Sequence, residues 1–284
     1  MSIVGPTEFI GFGAGCVGPE TKPTRTATDG TMTTADRLAA EQEFHDRQAA
    51  GRAGAFAAGR ADLRFADADY LDHETWVRPA FLTLGDLAGK HVLDYGCGHG
   101  MAAVVLARAG AAVTAFDLSP GYVAEARARL AANGVSGTCV VADGEELPFP
   151  DHSFDAAWGN AVLHHLDLHK AGRELRRVLR PGGVAVFCEP WGGNPLLAFA
   201  RRFLPYPGKD RTPDERPLTR RDLAPLREFF AVEVEGHQLL GMVRRAWPSR
   251  RMLRLLDAAD ARLLRLAPPL WNWCRYVVLT LRAR

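Results

Sequence analysis

The sequence predicts an α/β fold, a mostly parallel sheet with helices on both faces, and three observations carry that expectation. From Lys90 onward, short apolar runs alternate with amphipathic stretches, the pattern of repeated βαβ units. The run Val92-Leu93-Asp94-Tyr95-Gly96-Cys97-Gly98-His99-Gly100 sets an acid and three alternate glycines at the end of an apolar strand. Such a turn lets a ligand approach the backbone at the carboxyl edge of a sheet. A chain of 284 residues, 47% hydrophobic and 24% charged, has enough apolar content for a sizeable core in one large domain with additions or two small ones.

Residues 1–33 are rich in Gly, Pro and Thr and are expected to form a flexible tail, with Met32 as an alternative start. "GFGAG" at 11–15 has neither a strand before it nor a periodic helix after it, so it is not read as a nucleotide loop. The N-terminus lacks a basic region followed by an apolar run, and no stretch reaches the length of a spanning helix. Residues 34–88 read as helical, first over "TADRLAAEQEFHDRQAAG" and again around "DHETWVRPAFLTLGDL". Strands are expected at "HVLDY", "AVTAFD", "GTCVVA", "FDAAWG" and "VAVFCE", with helices over 101–109, 120–132 and 167–179. In the last of these, Leu168, Ala171, Leu175 and Val178 fall three or four apart while Lys170, Arg173, Glu174 and Arg177 are expected to face away. "RPGG" is expected to stop that helix.

Charge and cysteine content narrow the functional classes. The 35 basic and 33 acidic residues leave +2, so no domain-wide field points to nucleic acid. Five cysteines, at 16, 97, 139, 188 and 274, are odd in number and contain no Cys-x-x-Cys pair. That pattern argues for reduced thiols, no structural metal and a cytoplasmic setting. The glycine run itself is not a dinucleotide fingerprint, because Met101 stands where Gly-x-Gly-x-x-Gly needs its third glycine.

The spacing Asp-x-Gly-x-Gly-x-Gly resembles the first motif of class I S-adenosylmethionine-dependent methyltransferases, and further matches follow in order. "AFDLSP", "ADGEELPFPDHSFD", "FDAAWGNAVLHHL" and "ELRRVLRPGGVAVFCEP" are similar to that family's later motifs, over roughly residues 88–190. The resemblance implies a Rossmann-like seven-stranded sheet whose last strand is antiparallel, in a catalytic domain over 89–284 behind a helical lid over 34–88. It implies S-adenosyl-L-methionine as cofactor, held around Asp94, Gly96, Cys97, Gly98, Gly100, Asp117, Leu118, Asp143, Gly144, Glu145, Asn160 and His165. In that reading Asp117 takes the ribose hydroxyls, Asp143 takes the adenine amine, and Gly144 and Glu145 shape the pocket edge. Each aspartate alone also reads as a strand-end cap. Phe44 and His45 resemble an aromatic-containing entry helix, with the usual tyrosine replaced and with a solvent-facing His45 as the alternative.

Methyl transfer from a sulfonium needs a positioned nucleophile, exclusion of water and, for some acceptors, a base. His165 and Glu189, both at strand exits, are the candidate catalytic residues; a structural or cofactor-adjacent role is the alternative for the first and loop capping for the second. Gly159-Asn160-Ala161-Val162 lacks the Asn/Asp-Pro-Pro-Tyr motif of enzymes that methylate base amines, which again argues against nucleic acid. Substrate-covering insertions are expected at about 191–222, with Trp191, Phe199, Phe203 and Tyr206, and at about 243–272. In the second, Leu255, Leu256, Ala259, Leu263 and Leu266 share a helical face, suited to packing over the pocket or on another subunit in a monomer or homodimer, with peripheral membrane contact as the alternative. The expected activity is methylation of a small, partly apolar acceptor such as a natural product, quinone or lipid-like metabolite, on O in preference to N or C. A non-catalytic adenosylmethionine-binding protein and an NAD(P)-dependent oxidoreductase are the competing readings.

Overall fold

The computed structural model describes residues 34–59, 61–203, 216–241 and 250–284. The expected tail over 1–33 with its alternative start, Cys16 and Tyr206 lie outside them. The order is α1 (Thr34–Ala57), α2 (Asp67–Leu71), α3 (Val77–Leu82), β1 (His91–Tyr95), α4 (Met101–Arg108), β2 (Ala112–Asp117), α5 (Pro120–Ala132), β3 (Thr138–Val141) and β4 (Phe154–Asn160). Next come a 3-10 turn (Leu163–His165), α6 (Leu168–Val178), β5 (Leu179–Pro190), α7 (Pro195–Phe203), α8 (Leu223–Phe229), β6 (Phe230–His237), α9 (Arg250–Leu266) and β7 (Tyr276–Ala283).

The strands form a 7-stranded sheet in the order β3-β2-β1-β4-β5-β7-β6. Pairing is parallel from β3 to β5, and β7 runs antiparallel between β5 and β6. Strands covered on both faces need apolar residues at successive positions, and Val92, Leu93 and Tyr95 of β1 are all fully buried. The chain order reverses between β1 and β4, so the connections that leave their carboxyl ends turn to opposite faces of the sheet, and open sheets of this kind bind ligands at the crevice between them.

Two buried clusters sandwich the sheet. One joins α2, α3, α4 and α5 around Trp158, whose Nε1 donates to the Tyr70 hydroxyl at 2.8 Å. The other packs α6 and α8 against Tyr95, Phe187 and Leu179. Helix starts are capped locally: the Ser119 hydroxyl accepts from Tyr122 N ahead of Pro120, and Asp167 accepts from His169 N and Lys170 N.

Several expectations are corrected. The stretch around 72–87 splits into α2 and α3, whose Tyr70, Val77 and Phe81 belong to the core. Helix α6 ends at Val178, just before the Arg180-Pro181-Gly182-Gly183 stretch, but that stretch is no loop: it lies within β5, where a bulge opposite Phe154–Ala156 takes in Gly182 at φ 75°. Glu174 faces inward: its Oε2 accepts from Leu147 N at 3.1 Å and pairs with Arg177 Nη2 at 2.7 Å. On α9, Leu256 is buried, but Leu255 is 65% and Leu266 73% exposed, so the leucine face packs only in part. Trp191 is fully buried beside Trp271 and Phe199 is exposed; the Phe203 side chain lies outside the described set. Cys97, Cys139, Cys188 and Cys274 are buried free thiols. Among the described residues no helix is long and apolar enough to cross a membrane.

This packing predicts a contrast between two leucines. Leu175→Ala, at a site 1% exposed, is expected to cost about 2–5 kcal/mol in denaturant unfolding. Leu255→Ala is expected to stay within about 0.5 kcal/mol of the parent. Equal losses would contradict the burial pattern.

Candidate active site

The glycine turn after β1 divides its labour. A Cβ on Gly96 would lie 2.4 Å from Val162 Cγ2 and one on Gly100 2.6 Å from Ala126 Cα, so these two glycines let elements pack. Gly98, at φ 47°, meets nothing within 4 Å and opens onto free space. Its N–H donates to Asp117 Oδ2 at 2.8 Å while Ser119 N donates to Asp117 Oδ1 at 2.9 Å, tying the turn to the end of β2. Burial raises the Asp117 carboxyl above its ordinary range, against the pull of those two amides.

Asp94 is 2% exposed, and its Oδ2 is buried without a hydrogen-bond partner. Burial pushes its carboxyl up to about 8, although the Ala103 amide opposes the shift. An orphaned buried carboxylate oxygen beside an open glycine turn is suited to a cationic ligand group. Adenosylmethionine carries two such groups, a sulfonium and an ammonium, so these residues fit it. Cys97 offers its N–H to Phe116 O at 2.8 Å, and burial pushes its thiol up, which makes it a packing residue and not a nucleophile.

At the β3 exit, Asp143 Oδ1 accepts from Glu145 N at 2.8 Å, and the Tyr95 hydroxyl donates to Gly144 O at 2.6 Å. Glu145 is buried: it accepts from Asp167 N at 2.8 Å and pairs with Lys170 and Arg37. Leu118 is half-buried beside Asp117. At the β4 exit, half-buried Asn160 bonds the Tyr70 hydroxyl and Ala161 holds φ 55°, a left-handed conformation that costs energy outside glycine. The fully buried Glu189 organises the turn after β4. Its Oε1 accepts from Val162 N at 3.0 Å and Leu163 N at 2.8 Å, and its Oε2 pairs with His164 Nδ1 at 2.8 Å.

Helix α1 closes over this edge with a polar stripe. Arg37, Glu41, His45, Gln48 and Arg52 succeed one another at intervals of three or four residues and all face inward. Arg37 reaches Glu145 and the His165 carbonyl; Glu41 Oε1 pairs with His165 Nδ1 at 2.9 Å; Gln48 Oε1 accepts from the Tyr122 hydroxyl at 2.7 Å; Arg52 forks onto Glu125 at 2.8 and 3.0 Å. Asp46 accepts from Ser119 Oγ and Gly121 N. His45 is not solvent-facing but 24% exposed. Burial works against its charge, yet Glu41 and the charge on Asp117 hold its imidazole above the ordinary range. Among the described residues, Glu41, His45 and His165 bring ligand atoms within 4.8 Å of one another, a donor set that suits a transition metal.

The structure brings Asp94, Gly98, Asp117, Asp143, Asn160 and Glu189 to neighbouring strand ends, and beside them stand Arg37, Glu41, Asp46 and Gln48 of α1, which the sequence pattern did not single out. The signal was present: polar residues recur on one face of α1 at helical spacing. A cleft of about 460 Å³ opens beside His165, lined by Arg37, Glu41, Lys170, Arg216, Arg221 and Asp222 among others. Its wall is largely polar.

A model of the methyltransferase domain matches residues 93–187. Malonyl-[acyl-carrier protein] O-methyltransferase of Pseudescherichia vulneris is 39% identical over 138 residues, 48% of this chain and 50% of that protein. Demethylmenaquinone methyltransferase of Clavibacter sepedonicus is 32% identical over 182 residues, 63% of this chain and 68% of its own length. The chain spans about half the length of the first of these relatives. Geranyl diphosphate C-methyltransferase of Streptomyces coelicolor A3(2), at 20% identity and TM-score 0.51 over 73% of this chain and 77% of its own, shares the fold. The motif order, the sheet with its antiparallel β7 and these likenesses agree: the chain belongs to the class I S-adenosylmethionine-dependent methyltransferases.

Proposed function

We propose that the protein transfers a methyl group from S-adenosylmethionine to a small acceptor that presents a polar group, with oxygen as the acceptor atom. The observation that carries this reading is the convergence, at one sheet edge, of the open Gly98 turn, the orphaned Asp94 oxygen and His165 beside an open cleft. The relatives named as O-methyltransferase and quinone methyltransferase support a small-molecule acceptor.

In this reading Asp94, Gly98 and Asp117 hold the cofactor, with Asp143 and Gly144 at the far edge. When bound, the cofactor supplies an electrophilic methyl group on a cationic sulfur. The chain's own task is positioning. Helix α1 excludes water from the sheet edge, where a charged reactant would otherwise be solvated. The cleft admits the acceptor next to His165, which takes the acceptor's proton; the methyl group would come from the bound cofactor, which would leave as adenosylhomocysteine. Glu189 acts through the backbone, fixing the 162–164 turn on which His165 stands.

Three outcomes are expected. Calorimetry shows adenosylmethionine and adenosylhomocysteine binding with no comparable heat from NAD or NADP, and Asp117→Ala weakens adenosylmethionine by about 1.5–3 kcal/mol. Tight nicotinamide binding alone would overturn the reading, and unchanged affinity would remove Asp117 from the site. Secondly, a carboxyl raised to about 8 is protonated at pH 7, so a cation bound beside Asp94 drives its proton off. The binding enthalpy at pH 7 then varies with the ionisation enthalpy of the buffer, in the sense of proton release, and Asp94→Asn removes that dependence. A buffer-independent enthalpy in the parent protein contradicts the assignment. Thirdly, removing residues 1–31 leaves transfer of labelled methyl into a metabolite extract nearly unchanged, whereas removing 1–60, and α1 with them, abolishes it. Full turnover by the longer truncation would refute the lid.

A further inference from the structure

His164 and His165 stand side by side, ring centroids 4.0 Å apart, and each offers Nδ1 to a glutamate. The two glutamates differ in origin. His164 pairs at 2.8 Å with Glu189, on β5 and fully buried, so that pair is built into the core. His165 pairs at 2.9 Å with Glu41, which arrives from α1, 124 residues away in the chain. The same helix grips the same residue a second time, because Arg37 Nη1 donates to the His165 carbonyl and Arg37 is anchored on Glu145. Glu41 thus sets Oε1 on His165 Nδ1 and turns Oε2 toward His45 Nε2 at 3.6 Å, so one carboxylate from α1 faces both imidazoles.

We propose that Glu41 is the positioning residue for His165, so that closure of α1 and assembly of the base are one event. This rests on the reading of His165 as the base. Which ring nitrogen of a histidine carries the proton is set by the partner of the other. With Nδ1–H committed to Glu41, the lone pair sits on Nε2, the nitrogen left to accept the acceptor's proton. The imidazolium that forms then keeps the Glu41 carboxylate as counter-charge, the role of the buried acid in a catalytic triad. With α1 open, His165 loses both its orienting carboxylate and its backbone clamp, and proton transfer cannot precede enclosure of the reactants. His164 keeps its tautomer in either state, because Glu189 does not move with the lid.

The test needs no acceptor. Nitrogen-15 NMR of the full chain with labelled histidine reports the tautomer of each ring, with His165→Asn and His164→Asn assigning the signals. Both rings are expected with Nδ1 protonated. Glu41→Leu, which removes the acceptor oxygens but keeps a good helix former, should shift the His165 ratio toward Nε2–H by about tenfold or more, the scale of one hydrogen bond to a charged group. His164 should not change, and Glu41→Gln, which retains an acceptor oxygen, should restore the His165 tautomer. An unchanged His165 in Glu41→Leu overturns the proposal. So does a joint change in both rings, which would place the effect on the turn. One transition-metal ion per purified chain, lost in His45→Ala and His165→Ala, overturns it too, since the ion would take the lone pairs that the pair gives to protons. The tautomer is read without turnover, so a chain that shows it yet transfers no methyl group contradicts the functional reading alone.

Discussion

Helix α1 is held to the protein by its polar side chains, and the closed form of the site depends on that attachment. Ala49 is its one fully buried apolar side chain among the described residues, while Arg37, Glu41, Asp46, Gln48 and Arg52 each bond to the sheet edge or to α5. Contacts of this kind contribute little net stability apiece, because each exchanges water for a protein partner. An element with few apolar contacts opens more readily than the core beneath it. The proposed lid role calls for that property, since a lid must shield a reaction centre from water and still release product.

Beneath the lid the arrangement is rigid, for the opposite reason. Asp117 locks the glycine turn to β2, Glu189 locks the turn after β4, and Tyr95 locks the β3 exit through Gly144. These groups lie on strands whose cores are fully buried, so the strand ends present their amides and carboxylates at fixed positions. Asp94 is the exception in this network. Its unbonded oxygen is a desolvated acceptor that only a ligand, or a proton, relieves. These strand-end groups form a cradle with α1 as its proposed cover, and His165 sits where the two meet.

The cradle is legible in the sequence, since its residues sit at the ends of apolar strands and in a glycine run, where local spacing and spatial position coincide. Asp94, Gly98, Asp117 and Asp143 fall at neighbouring strand ends for that reason. The cover is not. Apolar period does not reveal it, because the side chains that matter on α1 are charged, and their partners Glu125, Glu145 and His165 are 73 to 128 residues distant in the chain. Glu174 escapes the same kind of reading, because a carboxylate that caps an amide turns inward without any apolar signal. The bulged start of β5 is hidden by Pro181 and the glycines after it, residues that read as punctuation but here bend a strand.

Hydrogen exchange with and without adenosylhomocysteine tests the central claim most directly, because it reads the opening of α1 separately from that of the core. The account predicts that amides of residues 34–57 exchange fast in the free protein and are protected on binding, while β1, β4 and β5 stay slow in both states. Equal protection of α1 with and without the cofactor product would contradict it.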